Sequence, residues 1–193
     1  MKVPFLLTSF LFFAVTGVNA QHANLGIKGG LNVYNMHNDN GSKNDAMTGF
    51  HAGLLAHIHF TKTFALQPEF LYSRQGAKHN ITDGGVAHYD LDYLNIPVMF
   101  QYMFHNGFRL EAGPQVGFLM KARQKSNGSE TDLKPSLFKT DFSLGIGFGY
   151  IQPKSGFGFD ARYNAGLTDI TRGSVKTTNM GFQLGLLYQM NHR

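Results

Sequence analysis

Residues 141–150, DFSLGIGFGY, alternate between large apolar side chains and almost no side chain at all. From position 143 onward the odd positions hold one serine and three glycines. The even positions hold Phe142, Leu144, Ile146, Phe148 and Tyr150. A period of two places these sets on opposite faces of a β-strand. The segment therefore predicts a strand with one bulky apolar face and one nearly empty face.

The same alternation recurs along the chain and predicts eight strands. They cover residues 25–34, 49–60, 63–74, about 91–103, 107–122, 141–150, 156–167 and 178–190. Short turns near 61–62, 104–107 and 152–155 alternate with long polar connections at 35–48, 75–90, 123–139 and 168–177. Short and long connections in alternation are typical of an up-and-down antiparallel sheet whose two ends face different surroundings.

The strand length and the aromatic residues favour a membrane setting. A strand of ten residues is roughly 34 Å long. Tilted by about 45°, it crosses about 24 Å, close to the apolar band of an outer-membrane barrel. Aromatic residues flank the three short turns, as expected of an interfacial girdle: Phe60, Phe64, Tyr102, Phe104, Phe108, Tyr150 and Phe157. We therefore predict an all-β fold, an eight-stranded antiparallel up-and-down transmembrane β-barrel with its large side chains toward lipid.

The opposite faces of these strands carry charged side chains, which the barrel would enclose. The predicted polar network of the lumen consists of Lys28, Glu69, Arg109, Glu111, Asp160 and Arg162. An eight-stranded barrel is just wide enough for side chains to fill, and a charge in that space needs an opposite charge nearby. Three basic and three acidic residues make pairing possible, and the glycine face of residues 141–150 makes room for long neighbours.

Two soluble architectures share the period of two. A lipocalin-type barrel would place the charged residues in an apolar cavity and expose rows of Phe and Leu, at a cost of several kcal/mol per unpaired ion. A β-sandwich is harder to exclude, because alternation alone does not say which face meets water. The strand length, the unequal connections and the amino terminus favour the membrane barrel.

Residues 1–20, MKVPFLLTSFLFFAVTGVNA, have the pattern of a secretory signal peptide. Lys2 precedes a short apolar stretch, and Val18-Asn19-Ala20 resembles a cleavage site. We expect cleavage there, which leaves residues 21–193 as a single barrel domain in the cell outer membrane of a Gram-negative bacterium. The chain has no cysteine, so disulfides and thiolate metal sites are excluded.

Three prolines conflict with uninterrupted strands. Pro68, Pro97 and Pro114 fall within predicted strands, where they cannot donate a hydrogen bond to the ladder. A closed barrel offers no edge strand to hold them. We expect a bulge or a local break at each.

Several segments resemble, in order, the PorT-like outer-membrane β-barrel family of Bacteroidetes, often called porin family proteins. They are LGIKGGLNVYNM, FTKTFALQPEFLYSRQGAK, YLNIPVMFQYMF, FRLEAGPQVGFLMKA, DFSLGIGFGY and FDARYNAGLTDI. The resemblance implies an eight-stranded barrel of the size of the OmpA membrane domain and OmpX. It implies no catalytic motif, and the best-known relative is linked to a protein-secretion pathway.

The sequence shows no convincing chemical site. His51, His57 and His59 share a face, but His51 lies about 20 Å from His57 at roughly 3.4 Å per residue, so we predict no metal site. We predict no catalytic residue, no cofactor and no nucleic-acid partner.

The predicted function is that of an integral outer-membrane barrel with a filled lumen, acting structurally or through its extracellular loops. Its expected partners are outer-membrane lipid, lipopolysaccharide and proteins that the loops contact, and we expect a monomer. The alternatives are an accessory component of a secretion machinery and a lipid A-modifying enzyme.

Overall fold

The chain forms nine strands and one short 3-10 helix in a computed structural model that describes residues 23–41, 44–80, 86–126 and 128–190. The predicted signal peptide lies outside the described residues. The strands are β1 (Ala23–Asn38), β2 (Asp45–His59), β3 (Phe64–Asn80), β4 (Val86–Met103), β5 (Phe108–Ser126), β6 (Ser129–Asp132), β7 (Thr140–Ile151), β8 (Phe157–Gly166) and β9 (Thr177–Gln189). The 3-10 helix covers Lys134–Ser136.

Eight of these strands close into a ring in which sequential strands pair antiparallel and β9 returns to β1. The short strand β6 is a hairpin appendage of β5 and stands outside the ring. The predicted eight-stranded antiparallel up-and-down barrel is confirmed. A closed ring leaves no sheet edge, so every ring strand has a partner on both sides. Among the described residues, no helix is long and apolar enough to cross a bilayer.

The side chains of each strand sort onto the two faces that the alternation predicts. In β7, Phe142, Leu144, Ile146 and Phe148 point outward with 47–62% of their surface exposed. Their neighbour Ser143 is buried in the interior. The outer surface of the ring is therefore a band of large apolar side chains, which is unfavourable against water and favourable against lipid.

A belt of aromatic rings surrounds the end of the barrel that carries the short turns. The rings of Phe64 and Tyr102 lie 5.4 Å apart, and those of Tyr102 and Phe104 lie 4.9 Å apart. The belt continues through Phe104–Phe108, Phe108–Phe148, Tyr150–Phe159 and Phe157–Tyr188. Aromatic rings at this spacing form the girdle expected at a membrane–water interface.

Each of the three prolines coincides with a local break in one ladder. Residues 67–68 of β3 have no ladder pair with β2, residues 96–97 of β4 have none with β3, and residues 113–114 of β5 have none with β4. The register is the same on both sides of each gap, so no bulge forms at the prolines. Each proline keeps its pairing with the strand on its other side.

The strands are longer than predicted at the opposite end, and the connections are correspondingly shorter. β3 and β4 continue to residues 80 and 86, and β5 reaches Ser126 before turning into β6. The predicted loops at 35–48, 75–90 and 123–139 were therefore too long. The reason is an inversion of polarity: at this end Leu91 and Tyr93 belong to an inward apolar cluster, whereas Asp90 lies on the opposite face and pairs with the half-exposed Arg74 and Lys125. Beyond the lipid-facing band the outer face of the strands meets water. Polar residues therefore take the outward positions there and apolar residues the inward ones, the reverse of the order within the band.

Candidate functional site

The six charged residues predicted for the lumen all lie inside the barrel, each with no more than 5% of its surface exposed. They project from four strands: Lys28 from β1, Glu69 from β3, Arg109 and Glu111 from β5, and Asp160 and Arg162 from β8. Their formal charges sum to zero. The inward positions of distant strands therefore converge on one electrostatically balanced layer.

Arg162 is the centre of this layer. Its Nη2 and Nη1 donate to the two carboxylate oxygens of Glu69 at 2.8 and 3.1 Å, and its Nε donates to Oε1 of Glu111 at 2.8 Å. One guanidinium thus joins strands on different sides of the lumen. Bidentate pairing to a carboxylate is among the strongest geometries available to arginine.

Lys28 and Arg109 extend the array on either side. Lys28 Nζ lies 3.4 Å from Oε2 of Glu69 and contacts the carboxylate of Asp160. Arg109 reaches Glu111 through Gln101, which accepts from Nη1 of Arg109 at 3.2 Å and donates to Oε2 of Glu111 at 2.9 Å. The structure therefore brings all six predicted residues together, with Arg109 joined indirectly.

Glycines on β7 and β9 provide the space that this layer occupies. A Cβ added at Gly145 would lie 3.2 Å from Cδ of Arg162 and 3.3 Å from Cε of Met99. A Cβ added at Gly185 would lie 2.7 Å from Oδ1 of Asp160 and 2.9 Å from Cε of Lys28. The empty face of residues 141–150 is thus filled largely by long side chains of the neighbouring strands, such as Arg162 of β8.

A layer of amide and hydroxyl groups borders the ionic layer, and the sequence interpretation left it out of the predicted network. Asn32 Nδ2 donates to Oγ of Ser73 at 2.9 Å, and Oγ of Ser73 also accepts from Gln75 at 3.0 Å. Asn179 continues the chain by donating to Oε1 of Gln75 at 2.6 Å. The sequence signal for this layer was the series of amide side chains at inward positions. Neutral side chains have no opposite charges to pair, so the sequence does not indicate which of them bond to one another.

Apolar side chains close the lumen at both ends. At the short-turn end, Leu55, Ile151 and Leu187 form a small buried cluster. At the other end a larger cluster consists of Met36, Ala77, Leu91, Tyr93, Leu119, Ala122, Leu137 and Ile170. The polar layers therefore lie between two apolar ones.

Two connections fold inward to build the larger cluster. Leu137 belongs to the connection between β6 and β7, and Ile170 belongs to the connection between β8 and β9. The Phe138 N–H donates to the carbonyl of Ile170 at 2.9 Å, and the Arg172 N–H donates to the carbonyl of Ser136 at 3.0 Å. Arg172 also lies over the ring of Phe138, 5.3 Å from its centroid. These contacts hold the two segments together across the mouth of the barrel.

Asp169 fixes the turn that carries Ile170. Its Oδ1 accepts from the N–H of Thr171 at 2.9 Å, from the hydroxyl of Thr171 at 3.0 Å and from the N–H of Thr177 at 3.0 Å. Desolvation opposes ionisation, but these hydrogen bonds outweigh it and lower the pKa of Asp169. The stabilisation is present above the usual pKa of an aspartate and is lost as the pH falls through the lowered value.

A cavity of about 420 Å³ remains at this mouth. Met36, Leu91 and Leu137 of the apolar cluster line it, together with polar residues that include His79 and Thr171. The apolar cluster thus separates this cavity from the ionic layer.

The three histidines weighed as metal ligands do not form a metal centre. His51 bonds Oδ1 of Asn32 at 2.6 Å through Nδ1, while the rings of His57 and His59 pack edge to face at 4.5 Å. Within the described ranges, no group of three or more His, Asp or Glu side chains is arranged to hold a metal ion.

The family of outer membrane protein β-barrel domains matches residues 19–172, which is most of the chain. The chain belongs to this family. The membership agrees with the apolar outer band, the aromatic belt and the closed ring of eight strands.

Two solved structures from bacteria have the same fold as this chain. The Neisserial surface protein A (NspA) shares 13% identity at a TM-score of 0.59, and the match covers 88% of this chain and 100% of that chain. Ail, the attachment invasion locus protein of Yersinia pestis, shares 20% identity at a TM-score of 0.56 with the same coverage of both chains. At these identities the likeness establishes the fold alone. The curated protein sequences contain no match.

Proposed function

We propose that this outer-membrane barrel has a filled lumen and acts structurally and through its extracellular surface, without serving as a diffusion pore. The observation that carries the proposal is the stack of layers across the lumen. An apolar cluster, an amide layer, an ionic layer and a second apolar cluster follow one another along the axis. Solute passage would require breaking the pairs of Arg162 with Glu69 and Glu111, which costs several kcal/mol without replacement partners.

Planar-bilayer recording tests this proposal. The folded, purified barrel should insert without producing stable current steps, because no continuous aqueous path crosses the paired layer. A variant with the pairs removed, Glu69→Ala/Arg162→Ala, provides the comparison. It should show more conductance events than the wild type if it inserts to the same extent, as measured by protease protection. Large, stable steps from the wild type would contradict the filled lumen.

We also propose membership of the PorT-like branch and export through a cleaved signal. The first is supported by the ordered blocks from LGIKGGLNVYNM to FDARYNAGLTDI, and the second by the charge and apolar pattern of residues 1–20. Both fit a Gram-negative outer membrane. The amino-terminal sequence of the mature protein should begin at Gln21.

A non-enzymatic role is part of the same proposal. The central carboxylates Glu69 and Glu111 are both engaged by Arg162, so neither is placed to act as an acid or base on a substrate. Interaction therefore has to use the extracellular end, where the strands rise above the lipid-facing band. We propose that its partners are outer-leaflet lipids, lipopolysaccharide in particular, and other proteins.

A further inference from the structure

A cleft lies in the outer wall of the barrel where the ladder between strands β2 and β3 is interrupted. Their ladder is regular up to the pair His51–Ser73 and resumes at Ala46–Ala77 with its register shifted by one residue. Between these two pairs the strands form no ladder contact. The cleft beside this interruption has a volume of about 650 Å³.

Asn32 supports the cleft from the lumen side. Its Nδ2 lies 3.0 Å from the carbonyl oxygen of Phe50 on β2 and 3.1 Å from that of Arg74 on β3. Asn32 itself is 1% exposed. A buried side chain thus contacts a carbonyl group of each strand where their ladder is interrupted, which holds the wall in this arrangement.

The cleft is apolar on the side nearer the lipid-facing band and basic on the side nearer the mouth of the barrel. These two sides are its lower and upper parts. Leu31 and Phe50 belong to the lipid-facing band and line the lower part. Arg74, Lys78 and Lys125 line the upper part around a single carboxylate, Asp90. Arg74 and Lys125 both pair with Asp90, at 2.7 and 3.1 Å. Lys78 has no ion-pair partner in the described part of the chain, so the lining carries an excess of two positive charges.

The cleft lies at the boundary between lipid and water. The rings of Phe50 and Tyr72 contact each other at 5.7 Å, and Arg74 follows Tyr72 by one step on the same outward face. The wall at the other side of β1 differs, because its outward positions at this height carry no formal charge: Asn35, His37, Thr178 and Met180. The basic lining is therefore a feature of the cleft and does not continue along the outer wall onto β1 and β9.

We propose that this cleft binds the phosphorylated headgroup of an outer-leaflet glycolipid. Phosphate oxygens would accept charge-assisted hydrogen bonds from Lys78 and Lys125, while an acyl chain lies against Leu31 and Phe50. The apolar lower part of the cleft and its basic upper part, which we call the basic rim, together suit a ligand with both an acyl chain and a negative charge. A free anion would contact only the basic rim. This inference rests on the proposed membrane placement but not on the filled lumen.

The test compares binding of lipid A by the full folded chain in detergent micelles, measured by native mass spectrometry. The variant Lys78→Gln/Lys125→Gln removes two charges from the rim and leaves the Arg74–Asp90 pair intact. Its control, Lys62→Gln/Lys154→Gln, removes two charges from exposed short turns at the other end of the barrel. The probes are phosphorylated lipid A, chemically dephosphorylated lipid A and inorganic phosphate.

We expect the rim variant to bind phosphorylated lipid A roughly tenfold or more weakly than the wild type, and the control variant to bind it unchanged. The wild type should bind dephosphorylated lipid A about as weakly as the rim variant binds the phosphorylated form. Equal affinity of the rim variant and the wild type would overturn the inference, and so would an equal loss in the control. Displacement of lipid A by equimolar inorganic phosphate would overturn the assignment to a lipid. None of these outcomes depends on the bilayer recording, so the two proposals fail separately.

Discussion

Replacing Arg162 with methionine is expected to destabilise the barrel by about 3–5 kcal/mol, because two carboxylates then remain buried without their shared cation. Methionine fills much of the arginine's volume, so the loss reports charge pairing rather than a large cavity. Glu69 would keep Lys28 at 3.4 Å, whereas Glu111 would keep only its bond from Gln101. Urea titration in micelles, read from the mobility difference between unheated and heated samples on a gel, measures the change.

The control for this variant is Arg123→Met. Arg123 pairs with Glu130 at 2.9 Å, but their side chains are 40% and 46% exposed. Solvent screens an exposed pair of this kind and leaves it little net stabilisation, so the control should unfold near the wild-type urea midpoint. The double variant Glu111→Gln/Arg162→Met should recover part of the lost stability, because it removes one buried anion together with the cation and Glu69 keeps its pair with Lys28. Equal midpoints for Arg162→Met and Arg123→Met would show that the ionic layer contributes no more than a surface pair.

Replacing Ile146 with arginine is expected to destabilise the barrel in a bilayer by about 2–4 kcal/mol. Ile146 lies midway between Phe142 and Tyr150 on β7 and has 62% of its surface exposed on the outer face. At that depth the guanidinium would enter hydrocarbon. A water-soluble barrel would gain or lose little, because the same position would already be solvated. Reversible unfolding from lipid vesicles is the appropriate measurement.

Thr178→Arg is the control for Ile146→Arg and introduces the same side chain near the end of the barrel. Thr178 lies on the outward face of β9 near its start, beyond the apolar band. An added arginine there should cost about 0–1 kcal/mol, as expected close to the interface. The same small effect from both substitutions would contradict the assignment of this surface to lipid.

The membrane half of the fold was predictable because one physical rule applies along its whole length. Lipid lies outside this half and a polar lumen lies inside it. Leu144 and Phe182 therefore face outward, while their neighbours Ser143 and Gln183 face inward. Complementary charges on the inward faces of the predicted strands then indicated a charged layer in the lumen. Three cations and three anions on inward positions of a narrow barrel have few arrangements that leave none unpaired.

The extramembrane half was misread because the same rule reverses there. In DLDYLNIPV, Leu91 and Tyr93 face inward, but Leu94 and Ile96 face outward one step later. If apolar residues are expected on the same face throughout, the pattern breaks here and indicates the end of the strand. The strand in fact extends back to Val86. The mouth cluster was missed for a related reason, since Leu137 and Ile170 lie in connections without alternation.

The ion-pair partners and the cleft are beyond what sequence patterns determine. That Gln101 links Arg109 to Glu111 depends on cross-strand register, which the sequence constrains only through its faces. The register shift between β2 and β3 that opens the cleft leaves no mark in the pattern of residues 45–51.

The central claim is that large apolar side chains face lipid while the opposite face of each strand fills the lumen. The chain contains no tryptophan, so single-tryptophan variants report one position each. Phe182 and Tyr34 suit this test because they lie one ladder step apart, with exposed fractions of 62% and 2%. In vesicles of lipids brominated on their acyl chains, the fluorescence of Phe182→Trp should be strongly quenched, whereas that of Tyr34→Trp should be nearly unaffected. Strong quenching at position 34 with an unquenched position 182 would contradict the assignment of the two faces.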